Sequence, residues 1–139
     1  LTADTGVIDN RMGFTDVLAL DSAEDAIDAL AARRFPGVTA EARNLYAEDA
    51  YDRLRGALGK ARILVLDPPR DGLRHVDALL RHARRLQHVF YVSCDLATFS
   101  RDVSRFLDSG FRLQGIQPLD QFPHTPHIEL LGSLERKES

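Results

Sequence analysis

The chain has 139 residues, of which 44% are hydrophobic, with one Cys, no Trp and a formal net charge of −3. This length is enough for one domain with its own core. The single Cys94 excludes an internal disulfide framework and a multi-Cys zinc site, and no apolar run reaches the roughly 20 residues of a membrane span. We therefore expect a cytoplasmic protein without membrane contact, folded as one domain over residues 1–139. Because the first residue is Leu1 and not Met, we expect a piece of a longer protein.

Helix and strand signals alternate along the chain. Ser22, followed three residues later by Asp25, is typical of a capping box at a helix start. The apolar run Ile63–Leu66 is typical of a central parallel strand that is covered on both faces. The predicted strands are residues 17–20, 38–42, 63–66, 89–92, 111–117 and 127–134, and the predicted helices are residues 23–34, 48–58, 76–86 and 98–107.

This alternation predicts an α/β fold with a mostly parallel sheet and helices on both faces. The loop of about nine residues before the last strand suits a hairpin, so that strand is predicted to be antiparallel to its predecessor. Ligands bind beyond the carboxyl ends of parallel strands, where Asp21, Asp67 and Cys94 are expected. An antiparallel last strand begins at the same edge, so His127 and Glu129 are expected there too.

Charge is divided unevenly between the two halves of the chain. Residues 1–52 hold 11 acidic against 4 basic side chains, and residues 53–139 hold 10 against 14. The densest basic stretch is residues 70–85, which is typical of a solvated helix face. The alternative is a surface that attracts a polyanion such as a nucleic acid.

The loop Asp67-Pro68-Pro69-Arg70 is predicted to be rigid, because each Pro fixes its own φ angle and removes one backbone donor. A carboxylate on a stiff loop at a sheet edge suits recognition of donor groups on a ligand. The alternative is a stiffened turn in which Asp67 caps the following helix.

Cys94 comes directly after an apolar strand and before Asp95 and a predicted helix. At that position a thiolate can reach a substrate at the sheet edge, beside the positive end of the helix dipole. The alternative is a buried, inert Cys, which is the commoner role of a lone Cys.

The segment of residues 121–129 contains His124, His127 and Glu129. A metal site is not expected there, since no second ligand cluster occurs elsewhere in the sequence. We interpret Glu129 as a general base and the two His residues as side chains that shape the loop. The alternative for Glu129 is a surface carboxylate on an edge strand.

Three sequence blocks, in order, resemble the signature blocks of the S-adenosylmethionine-dependent RNA uracil-C5 methyltransferases. Members of that family make 5-methyluridine in tRNA and in large-subunit ribosomal RNA. The resemblance extends over about residues 17–136. The blocks are residues 67–72, residues 91–98 with Arg101-Asp102, and residues 122–129.

The resemblance implies a Rossmann-like class I methyltransferase fold, S-adenosylmethionine as cofactor and RNA, either rRNA or tRNA, as substrate. It implies that Cys94 is the nucleophile and Glu129 the base. The remaining implied contacts are Asp21, Asn44 and Asp67 for the cofactor, and Asp67 and Arg70 for the substrate.

The sequence departs from the family pattern near its start. A Gly-rich cofactor loop is expected after the first strand, but residues 1–20 offer only Gly6 and Gly13. The first strand is therefore predicted to be missing or degenerate. The family's N-terminal RNA-binding region is also missing from these residues. The chain is then either the C-terminal part of a longer enzyme or a domain whose cofactor loop has decayed.

Two other functions fit parts of the sequence. The first is that of methyltransferases that act on exocyclic amines of bases, which also have Asp-Pro-Pro loops. In those enzymes an aromatic residue follows Asp-Pro-Pro, and the reaction needs no Cys at a strand end. Arg70 and Cys94 therefore count against this alternative. The second alternative function is that of a catalytically silent RNA-binding or interaction domain. The basic stretch of residues 70–85 and the missing Gly-rich cofactor loop favour it.

Overall fold

The computed structural model describes residues 16–120, 124 and 128–138. The chain divides into two compact units, residues 1–50 and residues 51–139. The elements in chain order are β1 (Val17–Asp21), α1 (Glu24–Ala32), β2 (Val38–Ala42), α2 (Ala50–Arg53), α3 (Arg55–Leu58), β3 (Ile63–Leu66), α4 (Val76–His82), β4 (His88–Ser93), α5 (Leu96–Asp108), β5 (Phe111–Leu119) and β6 (Glu129–Arg136).

The first unit contains a two-stranded parallel sheet of β1 and β2, with α1 against both strands. Ile27 of α1 is buried. The N-cap of α1 is Ala23, which has no side-chain cap. The predicted capping box of Ser22 and Asp25 is therefore wrong. The Asp21 carboxylate serves this helix start instead, accepting the Ala23 backbone N–H at 2.8 Å.

The second unit contains a four-stranded sheet with the order β3-β4-β6-β5. β3 and β4 are parallel, and β6 is antiparallel to both of its neighbours. The predicted antiparallel last strand is thus confirmed. Its place between β4 and β5 was not predicted, because a hairpin loop specifies only the pairing of the two strands that it joins.

Aromatic side chains between α5 and the sheet form much of the core of the second unit. The rings of Tyr91 and Phe99 meet edge to face with centroids 5.7 Å apart, and those of Phe106 and Phe111 do so at 5.8 Å. Gly132 of β6 leaves room for this packing, since a Cβ there would lie 2.6 Å from the Phe99 ring. This packing holds α5 against the strands that end at the site described below.

Several predicted boundaries differ from the structure. The predicted helix over residues 48–58 is two short helices, because the Leu54 N–H bonds to the Tyr51 carbonyl three residues back and interrupts the α-helical pattern. The next helix ends at His82, and Leu86 is buried beyond it. Apolar spacing alone does not distinguish an apolar residue in the helix from an apolar residue that is buried in the turn after it.

β3 also differs from its predicted environment. Among the described strands it pairs with β4 alone, so it lies at the edge of its sheet. Ile63 and Val65, which alternate with Leu64 and Leu66, are 38% and 41% exposed. The expected cover on both faces of this strand is therefore not seen in the described part of the chain.

No helix among the described residues is long and apolar enough to cross a membrane.

Candidate active site

Two loops and the start of one strand meet at the carboxyl edge of β3 and β4. Asp67 follows the last residue of β3, and Cys94 follows the last residue of β4. In the β4–β6 ladder the last pair is Ser93 with Leu130, so Cys94 and Glu129 are the next residues outward on the two strands. A thiol and a carboxylate therefore share one edge of the sheet.

Hydrogen bonds hold the chain on both sides of Cys94, which is exposed and not disulfide-bonded. The buried Ser93 hydroxyl donates to the Asp95 carbonyl at 3.0 Å and accepts the Asp95 N–H at 3.2 Å. Asp95 is the N-cap of α5, and its carboxylate accepts the Thr98 N–H at 2.8 Å. The exposed Cys94 side chain is thus carried by a backbone that hydrogen bonds hold on both sides.

Asp95, the residue after Cys94, carries a carboxylate at the start of α5. Hydrogen bonds from Thr98 hold the pKa of Asp95 below its usual range, and the charge of Arg70 adds to this effect. The Arg70 Nε lies 3.7 Å from the Asp95 Oδ2, so an ion pair joins the Asp67 loop to the Cys94 loop. The Arg70 side chain is 78% exposed, and exposed pairs of this kind stabilise a fold by little. Its guanidinium therefore remains accessible to a ligand.

The loop after β3 is anchored to α5. Its turn is closed by a hydrogen bond from the Gly72 N–H to the Pro69 carbonyl at 2.8 Å. Arg101 of α5 donates through Nη2 to the Asp71 carbonyl at 2.8 Å. The half-buried Asp67 lies at the start of this anchored loop.

Asp102 belongs to the second signature block, but the sequence alone did not indicate a role for it. It is fully buried in α5, and its carboxylate accepts hydrogen bonds from Leu73, Tyr91 and Arg101. The hydrogen bond to Asp102 raises the pKa of Arg101. One signal was available: residue 102 falls at helical spacing among apolar positions that are buried in the structure, such as Phe99 and Phe106.

The surroundings of Glu129 are described only in part. Glu129 is half-buried and pairs with Leu119 of β5. His124 is exposed and has a left-handed backbone conformation, with φ of 74°. His127, which was expected near Glu129, lies outside the described residues.

The first unit holds two further predicted residues, Asp21 and Asn44. Asp21 is the last residue of β1 and pairs with Ala42, the last residue of β2. Asn44 lies two residues after the end of β2. The Arg43 N–H donates to the Asp21 carbonyl at 2.7 Å, and the Asn44 side-chain oxygen accepts the Tyr46 N–H at 3.0 Å. A carboxylate and a carboxamide are therefore fixed by local hydrogen bonds at the carboxyl edge of this sheet. This pair of groups suits hydroxyl and amine groups of a ligand.

Within residues 16–120, 124 and 128–138, no group of three or more His, Cys, Asp or Glu side chains could hold a metal ion.

Comparison with known proteins gives a family match over most of the chain. The family model described as tRNA (uracil-5-)-methyltransferase matches residues 22–137. An uncharacterized RNA methyltransferase of Nitrosomonas europaea is 37% identical over 127 residues, which are 91% of this chain and 32% of that protein. One of Caulobacter vibrioides is 37% identical over 125 residues, covering 86% of this chain and 29% of that protein. The chain thus spans a third or less of the length of these relatives.

Solved structures with low sequence identity share the fold. The precorrin-6y C5,15-methyltransferase of Geobacter metallireducens has a TM-score of 0.59 at 12% identity, over 87% of this chain and 68% of that one. An rRNA methylase of Streptococcus thermophilus has a TM-score of 0.51 at 16% identity, over 88% and 74% of the two chains. These neighbours show a Rossmann-like methyltransferase fold, as predicted from the sequence.

Proposed function

Because the chain belongs to the tRNA (uracil-5-)-methyltransferase family, we propose that the protein transfers a methyl group from S-adenosylmethionine to C5 of a uridine in RNA. The observation that carries this proposal is the position of Cys94 and Glu129, one step beyond the last pair of the β4–β6 ladder. This reaction needs one nucleophile and one base close together, and the two residues are of those types. The names of the two relatives support RNA as the substrate.

Cys94 acts as the nucleophile in this proposal. Carbon C5 of uracil is a poor nucleophile, so its electron density must first be raised. The Cys94 thiolate adds to C6, which forms an S–C6 bond and moves the electron pair of the C5–C6 double bond into an enolate. The target uridine has to leave its stack to reach the thiolate, and the exposure of Cys94 is compatible with this.

Glu129 acts as the base at the end of the reaction. When bound, S-adenosylmethionine supplies an electrophilic methyl group on a positively charged sulfur. Glu129 then takes the proton from C5, the C5–C6 double bond returns, and the S–C6 bond breaks to release the Cys94 thiolate. The C5–CH3 bond that forms would replace the S–CH3 bond of the cofactor, which would leave as the neutral thioether S-adenosylhomocysteine, and the C5 proton ends on Glu129.

Four further residues are proposed to bind ligands. Asp21 and Asn44, held by local hydrogen bonds to Ala23 and Tyr46, are suited to polar groups of the cofactor. Asp67 accepts a hydrogen bond from a donor on the cofactor or on the uracil edge. Arg70, with its exposed guanidinium, binds the RNA.

The test is trapping of the covalent intermediate in the full-length protein. RNA with 5-fluorouridine at the target position carries no removable proton at C5, so the adduct to a Cys nucleophile persists. We expect a stable adduct with the unaltered protein and none with Cys94→Ala. An adduct that survives this substitution would remove Cys94 as the nucleophile.

The second candidate function is an RNA-binding domain without catalysis. The exposed side chains of Arg74, Arg81, Arg84 and Arg85 favour it. RNA binding without methyl transfer and without any adduct in the unaltered full-length protein would select this candidate. Methyl transfer to an exocyclic amine, with no Cys94 adduct, would instead select the amine-directed alternative.

A further inference from the structure

Asp102 links three segments of the second unit although the proposed reaction does not use it. Its Oδ2 accepts the Leu73 N–H at 2.7 Å and the Tyr91 hydroxyl at 2.6 Å, and its Oδ1 accepts the Arg101 Nε at 2.9 Å. Leu73 lies in the loop after β3, Tyr91 in β4 and Arg101 in α5. A fully buried carboxylate is costly unless it is paired and hydrogen-bonded, and here both oxygens have donors.

The close approach of the loop to α5 depends on Gly72. This residue has a φ of 78°, which disfavours other residues. A Cβ there would meet Asp102, Thr98 and the Arg101 guanidinium, the last at 2.6 Å. The loop backbone therefore lies directly against α5, on the residues that surround the Asp102 carboxylate.

Both proposed reactive loops are anchored to the same helix. The loop that begins at Asp67 is attached through Leu73 and through the Arg101 bond to the Asp71 carbonyl. The loop that holds Cys94 is attached by the Asp95 cap of α5. Tyr91, three residues before Cys94, donates to Asp102 as well. The Asp102 carboxylate is thus the common acceptor for the loop after β3 and for β4, the strand that leads to Cys94.

We infer that Asp102 is a positioning residue, which holds the Asp67 loop at a fixed place relative to Cys94. This inference rests on the proposed function. Misplacement of reacting groups by about 1 Å can lower a rate on the order of 100-fold. Loss of the acceptor should therefore lower the rate of the chemical step far more than the affinity for RNA, because a small shift of the loop leaves the exposed Arg70 guanidinium accessible.

The experiment uses Asp102→Asn in the full-length protein. One carboxylate oxygen becomes an NH₂ group, which cannot accept a hydrogen bond, so the side chain can no longer accept from Leu73 and Arg101 at the same time. We expect adduct formation with saturating 5-fluorouridine RNA to slow by roughly 100-fold while the dissociation constant for RNA changes far less. Asp108→Asn, an exposed position at the other end of α5, is the matched control and should keep the unaltered rate.

Hydrogen exchange separates positioning from general stability. The Leu73 amide should exchange faster in Asp102→Asn, while amides of β4 and β6 keep their protection. If Asp102→Asn does not fold, Tyr91→Phe takes its place, because it removes one donor and keeps the ring that packs on Phe99. The expected result is then a smaller but measurable loss of adduct rate, with faster exchange at Leu73.

The possible outcomes are distinct. A folded Asp102→Asn protein with the unaltered adduct rate overturns the inference and leaves the proposed function intact. An unaltered Tyr91→Phe rate does the same if Asp102→Asn cannot fold. A wild-type protein that binds RNA but forms no adduct refutes the proposed function, and the positioning role for catalysis falls with it.

Discussion

Neighbouring residues of one sequence block have different tasks in this structure. Cys94 is exposed at the sheet edge, whereas Tyr91 and Asp102 are buried and bonded to each other. The exposed residue is available for chemistry, and the buried ones hold the backbone that presents it. Strand-end position identified Cys94, Asp67 and Glu129 from the sequence, because the ends of strands are places where side chains leave the core.

Glu129→Gln is the residue-scale prediction for the proposed base. Glutamine keeps the shape of the side chain but cannot take up a proton, so the C5 proton stays and elimination of the Cys94 thiolate is blocked. We expect methyl transfer to stop after a single event, with protein covalently attached to ordinary uridine RNA. Gel mobility under denaturing conditions would detect this species. Normal turnover by the Gln variant would show that another group is the base.

At the scale of elements, α5 is the helix on which the site depends. It carries the N-cap Asp95, the buried Asp102 and two of the core aromatic side chains, Phe99 and Phe106. The sequence predicted this helix with its start two residues late. The Asp95 cap explains the difference, because its hydrogen bond to Thr98 begins the helix directly after the Cys94 loop. Gly110 follows the helix with φ of 89°, a left-handed conformation that glycine adopts readily after a helix end.

The cap of α5 should make stability depend on pH. Hydrogen bonds from Thr98 lower the pKa of Asp95 in the folded state, so its ionised form stabilises the fold above the pKa of the unfolded chain, about 3.9. This contribution is lost as the pH falls through the lower, folded pKa. We expect the difference in Tm between the unaltered protein and Asp95→Asn to be present at pH 7 and to shrink below about pH 4. A difference that is constant across this range would argue against an ionised cap.

Phe106→Ala tests the packing that holds α5 on the sheet. The Phe106 side chain is fully buried and meets the Phe111 ring edge to face. Its removal leaves a cavity, and the free energy of unfolding should fall by about 3–5 kcal/mol in a urea titration. The neighbouring Leu107, 37% exposed, provides the control, since Leu107→Ala should cost far less. Equal losses from both variants would contradict the observed orientation of α5.

At the scale of the whole molecule, the chain consists of two units, each with its own sheet. The first contains Asp21 and Asn44, and the second contains Asp67, Cys94 and Glu129. The family match runs through both units, from residue 22 to residue 137. The matched stretch therefore contains Asn44, Asp67, Cys94 and Glu129, and it begins one residue after Asp21.

Cofactor affinity is the prediction for the whole chain. The residues before β1 contain only two glycines, Gly6 and Gly13, whereas Gly-rich segments let the backbone approach a cofactor closely. We therefore expect these 139 residues alone to bind S-adenosylmethionine weakly, and the full-length protein to bind it more tightly and to methylate RNA. Calorimetric titration of both proteins measures this difference. Micromolar affinity of the 139 residues alone would contradict it.

Much of the fold was determined by the sequence itself. Local patterns, such as the apolar run of β3, the helical spacing of α5 and the Pro-stiffened loop after Asp67, depend on nearest neighbours along the chain. They are therefore readable without a structure. Strand ends can also be predicted from local patterns, and so can the positions of Cys94 and Glu129 at those ends.

Only the tertiary structure decided which segments meet. The insertion of β6 between β4 and β5 depends on residues far apart in sequence, and so do the bonds from Leu73 and Tyr91 to Asp102. Leu73 and Asp102 are 29 positions apart. The sequence does not indicate which groups hydrogen-bond to a buried carboxylate, because the packing of the chain determines those partners.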